Sequence, residues 1–180
     1  MKYKILGKTG IKVSEMCLGT MTFGTDWGWG ADKAESKKMF DIFLKHGGNF
    51  IDTANIYTKQ SSETFLGEFI QKERNNLVLA TKYTLNEYSE LNRSGNNRKN
   101  MIESVEESLR RLNTDYIDLF YVHAWDYLTD PEELMRNLEY LVSSGKVLTI
   151  GISDTPAWIV SRCNTIAEQR GWTPFSAYQV

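Results

Sequence analysis

GGNFIDTANIY, residues 47–57, sets a short apolar run, Phe50-Ile51, against an abrupt carboxylate at Asp52, with a tyrosine at Tyr57. Runs of the same kind recur along the chain. They are MCLGTMTF (16–23), NFIDTA (49–54), LVLATKY (77–83), IDLFYVHA (117–124), VLTIGIS (147–153) and SAYQV (176–180). Most are too continuously apolar for half-exposed strands and read as strands buried on both faces of a parallel sheet. Ahead of them YKIL, the turn GKTG and IKVS read as a hairpin over residues 3–14.

Helical patterns fill the gaps. Asp32 and Glu35 fit a capping box, Phe40, Phe43 and Leu44 mark one apolar face, and Gly47 ends that helix. Phe65, Leu66, Phe69 and Ile70 mark a second helix, and Met101, Ile102, Val105, Leu109 and Leu112 a third. The fourth opens with Asp130 as cap, Pro131 in its first turn and Glu133, carries Leu134, Leu138 and Leu141, and stops at Gly145. The fifth opens at TPAW, with Thr155 expected as the cap ahead of Pro156, and ends near Gly171.

Strand–helix alternation leaves two architectures, an open doubly wound sheet or a closed barrel. No GxGxxG follows the first strand, and the glycines of GTMTFGTDWGWG have the wrong spacing for a phosphate turn, which weakens the first option. A (β/α)8 barrel of the TIM type has eight strands and usually about 250 residues. Here 180 residues carry six strands. The expectation is an α/β fold of that type, with an N-terminal β-hairpin and truncated after the sixth strand, forming a single domain over 1–180.

Bulk properties exclude several function classes. A net charge of −2 gives no reason to expect nucleic acid or an acidic membrane as partner. No apolar run approaches the roughly 20 residues of a membrane span, and MKYKILGKTG lacks the apolar core of a secretory signal. Cys17 and Cys163 lie far apart, so reduced thiols and a cytoplasmic location are the expectation. No zinc-ligand spacing is present, and no metal is expected.

In parallel α/β folds, chemistry collects where strands end. The second strand ends in Asp52 with Tyr57 in the next loop, the third meets Lys82, the fourth meets His123, and the fifth ends Ser153-Asp154. A lysine ammonium beside a phenol favours the phenolate, and an aspartate beside the lysine keeps it charged when buried. A nearby imidazole can orient a carbonyl oxygen by hydrogen bond. Together these groups suit protonation of a carbonyl oxygen while its carbon is attacked. Nothing reads as an acyl-transfer nucleophile. Each residue also has a plain reading: Asp52 as a turn cap, Tyr57 as packing, Lys82 as a solvated strand end, His123 as a core histidine. Asp118, at the opposite end of its strand, belongs to the structural side. Trp27, Trp29 and Trp125 follow the first and fourth strands and either wall a substrate pocket or pack the rim.

The sequence resembles the aldo-keto reductases, in particular bacterial and fungal members resembling aryl-alcohol dehydrogenases. The resemblance rests on LGKTGIKVSEMCLGTMTFG, the D-x-x-x-x-Y of Asp52 and Tyr57, ATKY around Lys82, YIDLFYVHAWD around His123, and GKVLTIGISDTPAW. It implies a (β/α)8 barrel that reduces aldehydes and ketones with NADP(H), passing a hydride to the carbonyl carbon. Tyr57 would be the general acid, tuned by Lys82 and Asp52, with His123 positioning the carbonyl. By the same carry-over Gly19, Thr20 and Asp52 lie near the nicotinamide ribose, while Ser153, Asp154 and Gln179 hold the carboxamide. Asp154 stands where the family commonly has asparagine. The adenosine-phosphate site would follow the seventh and eighth strands, outside these residues. The polar loop TLNEYSELNRSGNN (84–97) is expected to act as a lid. The expected partner is a small carbonyl compound, with self-association or a complementing C-terminal fragment covering the open sheet edges. The alternatives are a fragment without turnover and a regulatory barrel like the potassium-channel β subunits that resemble reductases.

Overall fold

A computed structural model describes residues 1–87 and 90–180. Two short antiparallel strands come first, β1 (Tyr3–Ile5) and β2 (Lys12–Ser14). Six strands then follow, β3 (Cys17–Gly19), β4 (Phe50–Asp52), β5 (Val78–Tyr83), β6 (Ile117–Val122), β7 (Val147–Ser153) and β8 (Ala177–Gln179). The helices between them are α1 (Lys33–Lys45), α2 (Ser61–Phe69), α3 (Arg98–Leu112), α4 (Pro131–Ser143) and α5 (Ala157–Arg170). The sheet runs β3-β4-β5-β6-β7-β8, every neighbouring pair parallel. A doubly wound sheet reverses its strand order at a switch point. This one never does, so the strands curl in one direction as a half-barrel, in keeping with a truncated (β/α)8 fold.

Strand periodicity sorts the core into two sides. On β6, Phe120 and Val122 pack outward with Met101, Val105, Leu134 and Leu138 from the helices, while Leu119 and Tyr121 point into the curl with Val78 and Ala80. The hairpin closes the lower end of that interior: Leu6 and Val13 join the same cluster, flanked by Ile11, Phe50 and Ala177. Also at the lower end, Arg74 pairs with Asp118 at 2.7 Å, and Asp118 Oδ2 accepts the Leu79 N–H at 3.0 Å. Burial raises the Asp118 carboxyl, against the pull of Arg74.

Helix starts largely follow the sequence signals. Asp32 accepts from the Glu35 N–H at 2.8 Å, and Asp130 from those of Glu132 and Glu133. Gly47, Gly145 and Gly171 take the left-handed conformation that ends helices. Thr155 departs from expectation. Pro156 occupies the cap position of α5 with no side-chain bond, and the Thr155 hydroxyl donates back to the Ser153 carbonyl at 2.6 Å. The first long strand is also shorter than its apolar run, because Phe23 bridges to Ala31 within its own loop instead of extending β3. Among the described residues no helix is long and apolar enough to cross a membrane.

Candidate active site

β4, β5 and β6 each present an inward residue at their upper end. Asp52 lies beside Ala80, and Lys82 lies one inward step higher, beside Tyr121. His123 continues the Leu119–Tyr121 column, its N–H held by the Tyr83 carbonyl at 3.0 Å. Three strands of unbroken period therefore deliver a carboxylate, an ammonium and an imidazole to one mouth. Tyr57 arrives from the turn after β4, its N–H bonded to the Ala54 carbonyl at 3.2 Å.

Lys82 is 1% exposed. Its Nζ donates to Asp52 Oδ2 at 2.6 Å, to the Thr53 carbonyl at 2.9 Å and to the Tyr57 hydroxyl at 3.2 Å. The ammonium also sits 5.0 Å from the centre of the Tyr57 ring and 5.7 Å from that of Tyr121. Tyr57 and His123 meet edge to face with ring centres 5.9 Å apart. Burial raises the Asp52 carboxyl, while the Lys82 ammonium and the Gln179 amide pull it back. Burial, reinforced by the Lys82 charge and opposed by Asp154, lowers the His123 imidazole to about 4, so it is neutral near pH 7. Among the described residues His123 Nδ1 is buried without a hydrogen-bond partner. The group as a whole can release a proton from the phenol, hold the resulting charge next to a buried ammonium, and offer a neutral imidazole beside it.

Of the other residues expected here, Ser153 is buried at the end of β7 and Gln179 sits beside it on β8, where its amide reaches Asp52. Asp154, exposed, follows in a left-handed conformation at φ 37°. Thr20 is fully buried and its hydroxyl is already engaged, at 2.9 Å from the Asp52 carbonyl and 2.8 Å from Ser62 Oγ. Gly19 ends the edge strand, with open space where a Cβ would stand. Trp27 packs on the exposed Trp29 with ring centres 5.7 Å apart. Trp125 is buried and lines a cleft of about 770 Å³ with Ile56, Leu85 and Leu128, next to the four-residue cluster but including none of it.

Three features were not anticipated from the sequence. Tyr121 forms the floor under Lys82, and it fits because Gly151 stands opposite: a Cβ there would come within 2.5 Å of the ring. Asn96 and Asp126 clasp each other, backbone N–H to side-chain oxygen in both directions, at 2.7 and 2.9 Å. That clasp ties the 84–97 loop to the one after β6. The lid expected of the 84–97 loop falls partly on Tyr88 and Ser89, which lie outside the described residues. Third, Thr58 follows Tyr57 in an unusual backbone conformation.

Residues 15–180 match the model of the Aldo/keto reductase family. The chain is 47% identical to a norsolorinic acid reductase of Aspergillus flavus, over 98% of its own length and 49% of that protein's. It is 46% identical to an aryl-alcohol dehydrogenase [NADP(+)] of Phanerodontia chrysosporium, over 94% of its own length and 48% of the relative's. The chain thus spans about half the length of the curated relatives it matches. With strand order, mouth geometry and similarity in agreement, the chain belongs to the aldo/keto reductase family.

Proposed function

We propose that these residues form the proton-donating part of an NADP(H)-dependent reductase of aldehydes and ketones. The observation that carries the reading is the position of Lys82. A purely structural ion pair would be expected to end in the core, yet this buried ammonium, already paired with Asp52, reaches a half-buried phenol at the strand mouth. Burying such a pair costs desolvation that packing alone does not require. In the proposed reaction Tyr57 donates its proton to the carbonyl oxygen, Lys82 stabilises the phenolate left behind, and Asp52 keeps Lys82 charged. His123, neutral, donates a hydrogen bond that orients the carbonyl.

The donors around β7 and β8 fit a primary carboxamide: a hydroxyl at Ser153, an amide at Gln179 and an acceptor carboxylate at Asp154. NADPH held there would supply the hydride. Use of NADP rather than NAD is supported by the relative whose name carries NADP(+). The names of the relatives, with Trp27, Trp29 and Trp125 near the mouth, favour aromatic carbonyl substrates.

The test is NADPH oxidation with an aromatic aldehyde by a polypeptide that carries these residues within eight strands. Tyr57→Phe should lose nearly all of that rate, because one hydroxyl supplies the proton. An unchanged rate in Tyr57→Phe rules out the mechanism.

A further inference from the structure

Immediately after Tyr57, three consecutive non-glycine residues occupy left-handed backbone space: Thr58 at φ 45°, Lys59 at φ 50° and Gln60 at φ 78°. Such residues visit this region singly and at a steric cost, and a β-branched threonine there is an outlier. A strained run of three persists only when its surroundings over-determine it, and runs of this kind cluster at functional sites. The surroundings here are specific. Thr58 is fully buried, and its hydroxyl donates to the Phe23 carbonyl at 2.5 Å. Gly24, next along, has no room for a side chain: a Cβ would stand 2.7 Å from Thr58 Oγ1 and 2.8 Å from Thr58 Cβ. Ser61, directly after the turn, donates to Asp26 at 2.5 Å. The turn is therefore clamped to the 20–31 loop on one side, while its first residue carries the phenol on the other.

We infer that Thr58 is a positioning residue for Tyr57: its hydroxyl, anchored on the Phe23 carbonyl, holds the left-handed turn that sets the phenol against Lys82 and His123. The inference rests on the reading of Tyr57 as proton donor. It adds that the donor's placement is imposed by the loop bearing Trp27 and Trp29, so that the aromatic rim and the proton donor move as one body. Glycine would relieve the strain, but without the anchor the turn would be free to leave this geometry.

The chain has two histidines, which makes the test direct. The Tyr57 ring lies edge to face against His123, so its ring current shifts the His123 signals, whereas His46 sits at the end of α1. Aromatic NMR spectra of the purified chain are compared for wild type, Tyr57→Ala, Thr58→Ser, Thr58→Val and Thr58→Gly. Thr58→Val and Thr58→Gly should move the His123 ring signals toward their Tyr57→Ala positions, Thr58→Ser should keep them at wild type, and His46 should stay in place throughout. If Thr58→Val does not fold, Thr58→Gly decides, because glycine accepts the backbone conformation without strain. His123 signals at their wild-type positions in folded Thr58→Gly overturn the inference. That outcome leaves the reductase reading to the Tyr57→Phe rate, so the two can fail separately.

Discussion

Lowering the pH from about 7 to about 4.5 is expected to weaken the fold through His123. Burial, with the Lys82 ammonium behind it, lowers this imidazole from 6.5 to about 4. Between those two values the unfolded chain holds a proton on His123 that the folded chain does not. Stability is then complete above pH 6.5 and is lost progressively as the pH falls toward 4. Each pH unit across that window corresponds to about 1.4 kcal/mol. The whole effect is about 2–3 kcal/mol once the partial exposure of the ring is allowed for.

Other groups titrate nearby and must be subtracted. Burial raises Asp52 and Asp118, which acts with the opposite sign, because the folded state then takes up protons first. Asp126 is lowered by hydrogen bonds that outweigh its burial, so it costs stability only at still lower pH. Urea unfolding of wild type and His123→Gln at about pH 7 and about pH 4.5 isolates the histidine. The wild type should lose about 2 kcal/mol more than the variant over that interval. Equal losses in the two proteins, or a His123 NMR titration centred at its ordinary value, would refute the reasoning.

Two further predictions concern the scaffold. Glu63 is fully buried, accepting from Thr81 Oγ1 and from Arg111 Nε, each at 2.6 Å; Glu63→Ala removes this partner, leaves Arg111 to Glu107 at 3.4 Å, and should cost about 2–3 kcal/mol in urea unfolding. Gly67 brings α2 against α3 so closely that a Cβ would lie 2.1 Å from the Arg111 carbonyl oxygen. Gly67→Ala should gain about 1 kcal/mol of helix propensity but lose about 3 kcal/mol to the backbone overlap, for a net destabilisation near 2 kcal/mol in the same assay.

The residues that could be read from the sequence are those governed by strand period. Asp52, Lys82 and His123 each end a continuous apolar run, and the rule that parallel strands deliver chemistry at their upper ends needs no tertiary information. What escaped depends on register or on loop conformation. Tyr121 reads as one more apolar strand residue until the β5–β6 pairing sets it under Lys82 and Gly151 makes room for its ring. Thr155 reads as a cap because it precedes a proline. Instead the left-handed Asp154 turns the chain, and the hydroxyl bonds backward to Ser153. Thr58 carries no glycine signal at all, although its backbone adopts a glycine-like conformation. The Asn96–Asp126 clasp joins side chains thirty positions apart and leaves no local pattern.

The geometry also places the two proposed tasks on different strands. The proposed proton machinery lies at the upper ends of β4, β5 and β6 and in the turn after β4, with Lys82 and Asp52 enclosed. The residues proposed to hold the carboxamide lie at the ends of β7 and β8, which pair side by side. Gln179 reaches across to Asp52, so the upper end of β8 touches the ion pair directly. On the proposed function, a carboxamide held beside Gln179 would act on Asp52 through this contact, and through Asp52 on the Lys82 ammonium that faces Tyr57.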